Sequence, residues 1–207
     1  METYDRTMPK SHAPLVNTVD PNQLESLISR LIEAPTHSQE WAQAMADFLA
    51  GLGQLLRCDR VFLYVRNPNA AMGRVPFCWR AQSSVPTIYD PKWKPEPPSL
   101  ADEDPMFAAA LNAQPSIFVD DVERAGPEIL NREFERKTFG HRALVHAHLC
   151  SEQTLWGVLQ PCIFDTPRAW SQSDRHLIDQ AVAWLTPLTL EYVQAHYPNV
   201  QPVGNNP

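Results

Sequence analysis

Leu24, Leu27, Ile28, Leu31 and Ile32 recur at intervals of three and four, the stripe that one helical face presents to a core. Asp20 and Pro21 stand in front of it as an N-cap side chain and a proline whose missing N–H costs nothing in the first turn, and Pro35 ends it. The same period predicts a second helix bearing Trp41, Met45, Phe48, Leu49, Leu52 and Leu56, capped by Thr36 or Ser38 and closing near Arg57. Within it, Gly51 and Gly53 are thin enough for another element to approach closely. The pattern then changes: Val61 to Val65 is an unbroken apolar and aromatic run, as in a strand covered on both faces. Asn67 to Gly73 turns the chain toward a second strand around Val75 to Gln82.

Prolines 86, 91, 95, 97, 98 and 105 crowd the next segment. Proline cannot donate to a sheet ladder, so Val85 to Pro105 is expected to be a long loop with stiff extended pieces, serving as a lid, a docking surface or a plain insertion. A short helix from Asp104 through Ala113 should turn Met106 and Phe107 inward, before a strand at Ser116 to Val119 and a charged helix from Glu128 to Phe139. His141 to Cys150 and Leu155 to Phe164 read as a hairpin closed at Ser151 to Thr154. Ser171 or Ser173 caps the last helix, whose stripe is Leu177, Ile178, Ala181, Val182, Leu185, Leu188 and Tyr192, with a kink expected at Pro187. Strands that meander, with helices before, between and after them, predict an α+β domain: one antiparallel sheet with helices packed on it.

Composition narrows this picture. With 207 residues, 43% of them apolar, the chain can bury one core, so residues 20–195 are expected to form a single domain between a flexible arm (1–19) and a flexible tail (196–207). A net charge of -7 supplies no basic stripe for a phosphate backbone, which excludes nucleic acid as the expected partner. No apolar run approaches the roughly 18 to 20 residues that span a bilayer, and Met1 to Lys10 carries charges where a secretory segment would be apolar, so membrane insertion is excluded and a cytoplasmic protein expected. Cys58, Cys78, Cys150 and Cys162 include no CxxC pair, which fits reduced thiols.

Cys58 to Arg66 (CDRVFLYVR) resembles the first strand of GAF domains of the phytochrome and cyanobacteriochrome type, and Leu155 to Leu159 (LWGVL) with Pro167 to Trp170 (PRAW) resembles their closing strand and turn. The resemblance covers Leu24 to Val193. It implies a twisted antiparallel sheet with terminal helices on one face and a ligand pocket, with its helices and loops, on the other. It also implies a bilin-attaching Cys-His pair in the helix before the penultimate strand, where this chain has Asn131 and Arg132, and a pocket histidine where it has Cys162. Neither Asn131 nor Arg132 can form a thioether, so no bilin cofactor is expected.

Other chemistry is thinner. His146 and His148 share one strand face, a spacing suited to a metal. With a two-residue turn at Glu152 and Gln153, however, Cys162 falls opposite Ala143 on the other face, so packed histidines and no metal are expected. A thiol enzyme of the kind that reduces methionine sulfoxide would need paired cysteines, and Cys78 and Cys162 are not visibly paired. No Walker A loop, HExxH or GxSxG occurs, and no catalysis is expected.

The resulting expectation is a stand-alone, chromophore-free GAF protein that binds another protein, in a photosynthetic or signalling setting. Trp93, Lys92 and Lys94 are the candidate partner-binding residues. Leu24, Leu27, Leu31, Leu185 and Leu188 are the candidates for a homodimer bundle. The alternative is a receptor for a tetrapyrrole or other planar ligand, held noncovalently or through Cys78 or Cys162. Trp79, Tyr89, Trp93, Asn131, Arg132 and Cys162 are its candidate pocket residues.

Overall fold

The computed structural model describes residues 21–197; the expected Asp20 cap, the arm and most of the tail lie outside that range. Ser38 accepts from the Trp41 N–H to start the second of two opening helices, α1 (Pro21–Glu33) and α2 (Gln39–Leu56), and Arg57 ends it in the left-handed region. Six strands follow: β1 (Arg60–Asn67), β2 (Met72–Arg80), β3 (Asp90–Pro95), β4 (Ile117–Val119), β5 (Ala143–Ser151) and β6 (Thr154–Ile163). They form one sheet in the order β3-β2-β1-β6-β5-β4, with all neighbours antiparallel. Between them lie α3 (Leu100–Glu103), α4 (Pro105–Leu111) and α5 (Arg132–Thr138), and α6 (Gln172–His196) closes the chain. This is the α+β arrangement that the hydrophobic pattern predicts.

One sheet face carries Val61, Leu63 and Val65 of β1, Ala143 to Leu149 at alternate positions of β5, and Leu159 of β6, all buried with α1, α2 and α6. Trp41 anchors this layer, stacked on Tyr192 at 4.9 Å and edge-on to Phe77 at 5.6 Å. The PRAW turn staples it to the rest. Arg168 donates to the Leu56 carbonyl at the end of α2 and, at 2.8 Å, to Asp174, while the Trp170 indole donates to the Val119 carbonyl of β4 at 3.1 Å. Ser171 and Asp174 complete a capping box at the start of α6, which continues past Pro187 as one helix. Among the described residues no helix is long and apolar enough to cross a membrane.

Four expectations are corrected. The proline segment is not all loop: β3 pairs with β2, and Pro91 and Pro95 are tolerated because β3 is an edge strand with an outward side that needs no ladder donor. The charged helix begins at Arg132 rather than Glu128, because the Asn131 side chain accepts from the Glu133 and Phe134 N–H groups and makes the better cap. Leu24, Leu31 and Leu185, expected at a dimer bundle, are instead buried against the chain's own core, while Leu27 and Leu188 are half-buried beside them. The fourth correction is one of register. Ser151 pairs with Thr154 and Cys150 with Leu155, but Leu149 pairs with Gly157, so Trp156 is an extra residue and everything beyond it shifts by one. Cys162 therefore lies opposite Leu144, not Ala143, on the same face as His146 and His148.

Candidate functional site

The second sheet face carries Arg60, Phe62 and Tyr64 from β1, Val158, Gln160 and Cys162 from β6, and Leu144, His146 and His148 from β5. This face is aromatic and polar where the other is aliphatic. Between it and α4 and α5 lies a cavity of about 120 Å³, with Gln160, His146 and Val158 on the sheet side and Phe107, Phe134 and Phe139 among its walls. Tyr64 closes one end. Its hydroxyl donates to Glu96 at 2.6 Å, and Arg66 holds the same carboxylate at 2.9 Å, which fastens the segment after β3 across the sheet. Burial first, and then the Glu96 charge, push the Tyr64 phenol up, so it stays neutral.

The two histidines form a hydrogen-bonded chain whose tautomers can be assigned. Burial depresses His148, against the pull of its bond to Gln114; burial and the neighbouring imidazoles depress His146 well below the ordinary value. Both are neutral at neutral pH. The Gln114 carbonyl, 2.7 Å from His148 Nδ1, can only accept, so that nitrogen carries the proton. His148 Nε2 then accepts from His146 Nδ1 at 2.9 Å, which leaves His146 Nε2 an unprotonated acceptor without a partner at the cavity wall. Opposite it on β6, Gln160 is 3% exposed, and its Nε2 has no hydrogen-bond partner. Asp104 caps α4 at the cavity edge, accepting from the Met106 and Phe107 N–H groups. Burial, then Glu135, raise its pKa to about 6 against those two bonds.

Beside the cavity lies a buried charged cluster. Glu135 of α5 and His141 meet at 2.5 Å, an ion pair off the direct hydrogen-bond line, with both side chains fully enclosed. Burial alone would lower the His141 pKa; the Cys162 sulfur and the Glu135 carboxylate outweigh it and raise the value to about 9. The Arg60 guanidinium donates to the Pro86 carbonyl at 2.9 Å, reaches the Cys162 sulfur at 3.9 Å, and lies 4.8 Å over the Phe164 ring.

None of the six residues expected in a pocket lines this cavity. Asn131 is spent as the α5 cap, and the exposed Arg132 side chain donates to the Glu123 carbonyl at 3.0 Å. Trp79 and Tyr89 border a separate crevice beside α2, together with Cys78. Trp93 packs on Arg74, 4.5 Å from its ring, and against Tyr197; beside it Lys92 is exposed and Lys94 pairs with Asp90. Cys162 is fully buried beneath Arg60. Among the described residues no group of three or more His, Cys, Asp or Glu side chains could hold a metal. Phe62, Tyr64, Val158 and Gln160, which do line the cavity, were detectable only as alternate positions of β1 and β6.

A model of the GAF domain family matches residues 40–186. The chain belongs to the GAF family. A phycoerythrobilin-bound GAF domain from a cyanobacterial phytochrome shares the fold with a TM-score of 0.62 at 18% identity, covering 84% of this chain and 98% of that one. The chromophore-binding domain of the bacteriophytochrome RpBphP3 from R. palustris gives 0.63 at 18% identity, covering 84% of this chain and 61% of that one. GAF3 from Slr1393 of Synechocystis sp. PCC6803, in its photoproduct state, gives 0.54 at 26% identity over 76% of this GAF chain and 94% of its own. No curated protein matches the sequence.

Proposed function

We infer that this GAF domain is a chromophore-free regulatory module that acts by binding another protein, in the cytoplasm, and catalyses no reaction. The observation that carries the reading is the cavity: about 120 Å³ against the roughly 300 Å³ or more of sites for drug-sized ligands, and walled by packed phenylalanines where a four-ring tetrapyrrole would have to lie. The surrounding chemistry agrees. Asn131 and Arg132 hold α5 in place, Cys162 is sealed under Arg60, and Cys78 opens onto another crevice, so no thiol is aimed at a chromophore. Reactive thiols need stabilised thiolates, and burial instead pushes Cys58 and Cys150 up, toward the unreactive form. The phytochrome and cyanobacteriochrome relatives support a signalling setting, including a photosynthetic one.

Purified gently from its own cells, the chain is expected to be colourless and to elute in a stoichiometric complex with one defined protein. A pigmented product without a partner would overturn the reading.

A further inference from the structure

The sheet ends in two edges of different character. β3 carries Pro91 and Pro95, which have no N–H to offer a further strand, and the exposed Lys92 and Lys94, so this edge is blunted. β4, at the other end, is Ile117, Phe118 and Val119, with neither proline nor charge. Its free backbone groups follow from the register. The His148 N–H points toward β4, where it meets Ser116 Oγ at 3.1 Å, so by alternation His146 and Leu144 bond on that side to Ile117 and Val119. Phe118 therefore turns its N–H and C=O outward. Asp120 does the same two residues on, and its carbonyl accepts from the Arg168 N–H at 2.8 Å, whereas among the described residues no backbone group outside the sheet covers Phe118.

A groove of about 660 Å³ runs along this edge, with Ile117, Ala125 and the 37% exposed Ile129 among its apolar walls. Its charge is opposite to that of the whole chain. The lining holds Arg124, Arg142 and Arg168 against Asp120 and Asp121, in a protein of net charge -7. Arg142 and Arg168 are engaged by Asp121 and Asp174 at 2.7 and 2.8 Å. Arg124 is nearly free, since its side chain is 89% exposed and reaches only the Asp121 that Arg142 already holds, at 3.7 Å. Arg175 lies 4.1 Å over the Phe118 ring and has no carboxylate partner among the described residues.

We propose that β4 is the edge on which the partner protein docks, through an extended acidic segment that adds to the sheet and exchanges two hydrogen bonds with Phe118. Side chains of an added strand alternate between the two sheet faces. Phe118 and Arg175 stand on the α6 face, and Ile117 and Ala125 on the other, so the segment carries carboxylates on the first and apolar side chains on the second. A carboxylate at its end meets Arg124. The inference rests on the reading of the domain as a protein-binding module, and it adds where the partner binds and by what chemistry.

The test uses the full chain and two end-blocked peptides, one alternating Glu with Val and one alternating Lys with Val, followed by amide chemical shifts. The Glu–Val peptide is expected to give saturable shifts at Phe118 and Asp120, and to bind about tenfold more tightly than Lys–Val at low salt. Methylating its backbone nitrogens should abolish the shifts, because the ladder bonds are lost. Arg124→Glu/Arg175→Glu changes two exposed side chains, so it should keep the fold, weaken Glu–Val about tenfold and favour Lys–Val. Equal binding of the two peptides, shifts at β3 in place of β4, retained binding of the methylated peptide or no saturable shift would each overturn the proposal. So would a dimer of the free chain that the double variant dissociates, which would give the edge to a second copy. In the complex purified from its own cells, the double variant should lose its partner. A variant that keeps the partner sinks the β4 assignment and leaves the protein-binding reading standing, whereas a parent chain with no partner sinks that reading itself.

Discussion

Replacing Glu135 with Ala should lower the unfolding free energy by about 3 to 5 kcal/mol, the cost of removing one partner of a buried ion pair and leaving the other uncompensated. Both side chains are enclosed, so no solvent screens the loss, and Arg60 lies 3.5 Å from the other nitrogen of the His141 ring. The double variant Glu135→Ala/His141→Phe should recover part of the loss, because the His141 ring stacks on Phe139 at 5.3 Å and a phenyl ring keeps that contact without a charge. The pH dependence separates this ion pair from simple packing. His141 has a folded pKa of about 9 against an ordinary 6.5, so the stability it contributes is fully present below 6.5 and is lost as pH rises through 9. That contribution is on the order of 3 kcal/mol. Urea unfolding at pH 6 and pH 9.5 should show the decline in the parent and a flatter profile in Glu135→Ala; equal slopes would refute the ion-pair account.

Gly157→Ala should cost about 3 kcal/mol, at the upper end for overpacking, because the obstacle is main chain. A methyl group there would lie 2.5 Å from the Tyr64 carbonyl oxygen and 3.2 Å from Thr189 Cγ2. Gly157 sits mid-sheet in β6, paired with Val65 on one side and Leu149 on the other, so the strand cannot yield without breaking a ladder. Trimming Thr189 to Ala should not restore stability, since the nearer atom belongs to β1. A urea midpoint unchanged by Gly157→Ala, or rescued by Thr189→Ala, would show that the sheet spacing is looser than described.

The helical layer was legible in the sequence because its information is local: stripes of three and four, a serine cap, and glycines where another side chain crosses close by, as Trp79 does at Gly53. The LWG strand and PRAW turn were legible for the same reason, and the structure gives them physical work in the sheet and at the α2 and α6 termini. The cavity was not legible. It depends on which faces the hairpin strands show, and the single extra residue at Trp156 inverts the relation between Cys162 and the histidines without any local signal beyond the tight turn. β3 was hidden because proline argues against a strand until that strand is known to be an edge. Gln160 and Asp104 carry no pattern of their own; only the fold turns one into an unpaired donor and the other into a half-protonated cap near pH 6.

The central proposal is that this GAF domain binds no tetrapyrrole. The most direct measurement is the visible absorption spectrum of the full chain after co-production with bilin-synthesising enzymes and gel filtration. The account predicts no band co-eluting with the protein. A bilin band that co-elutes, and above all one that survives denaturation as a covalent adduct, would contradict it.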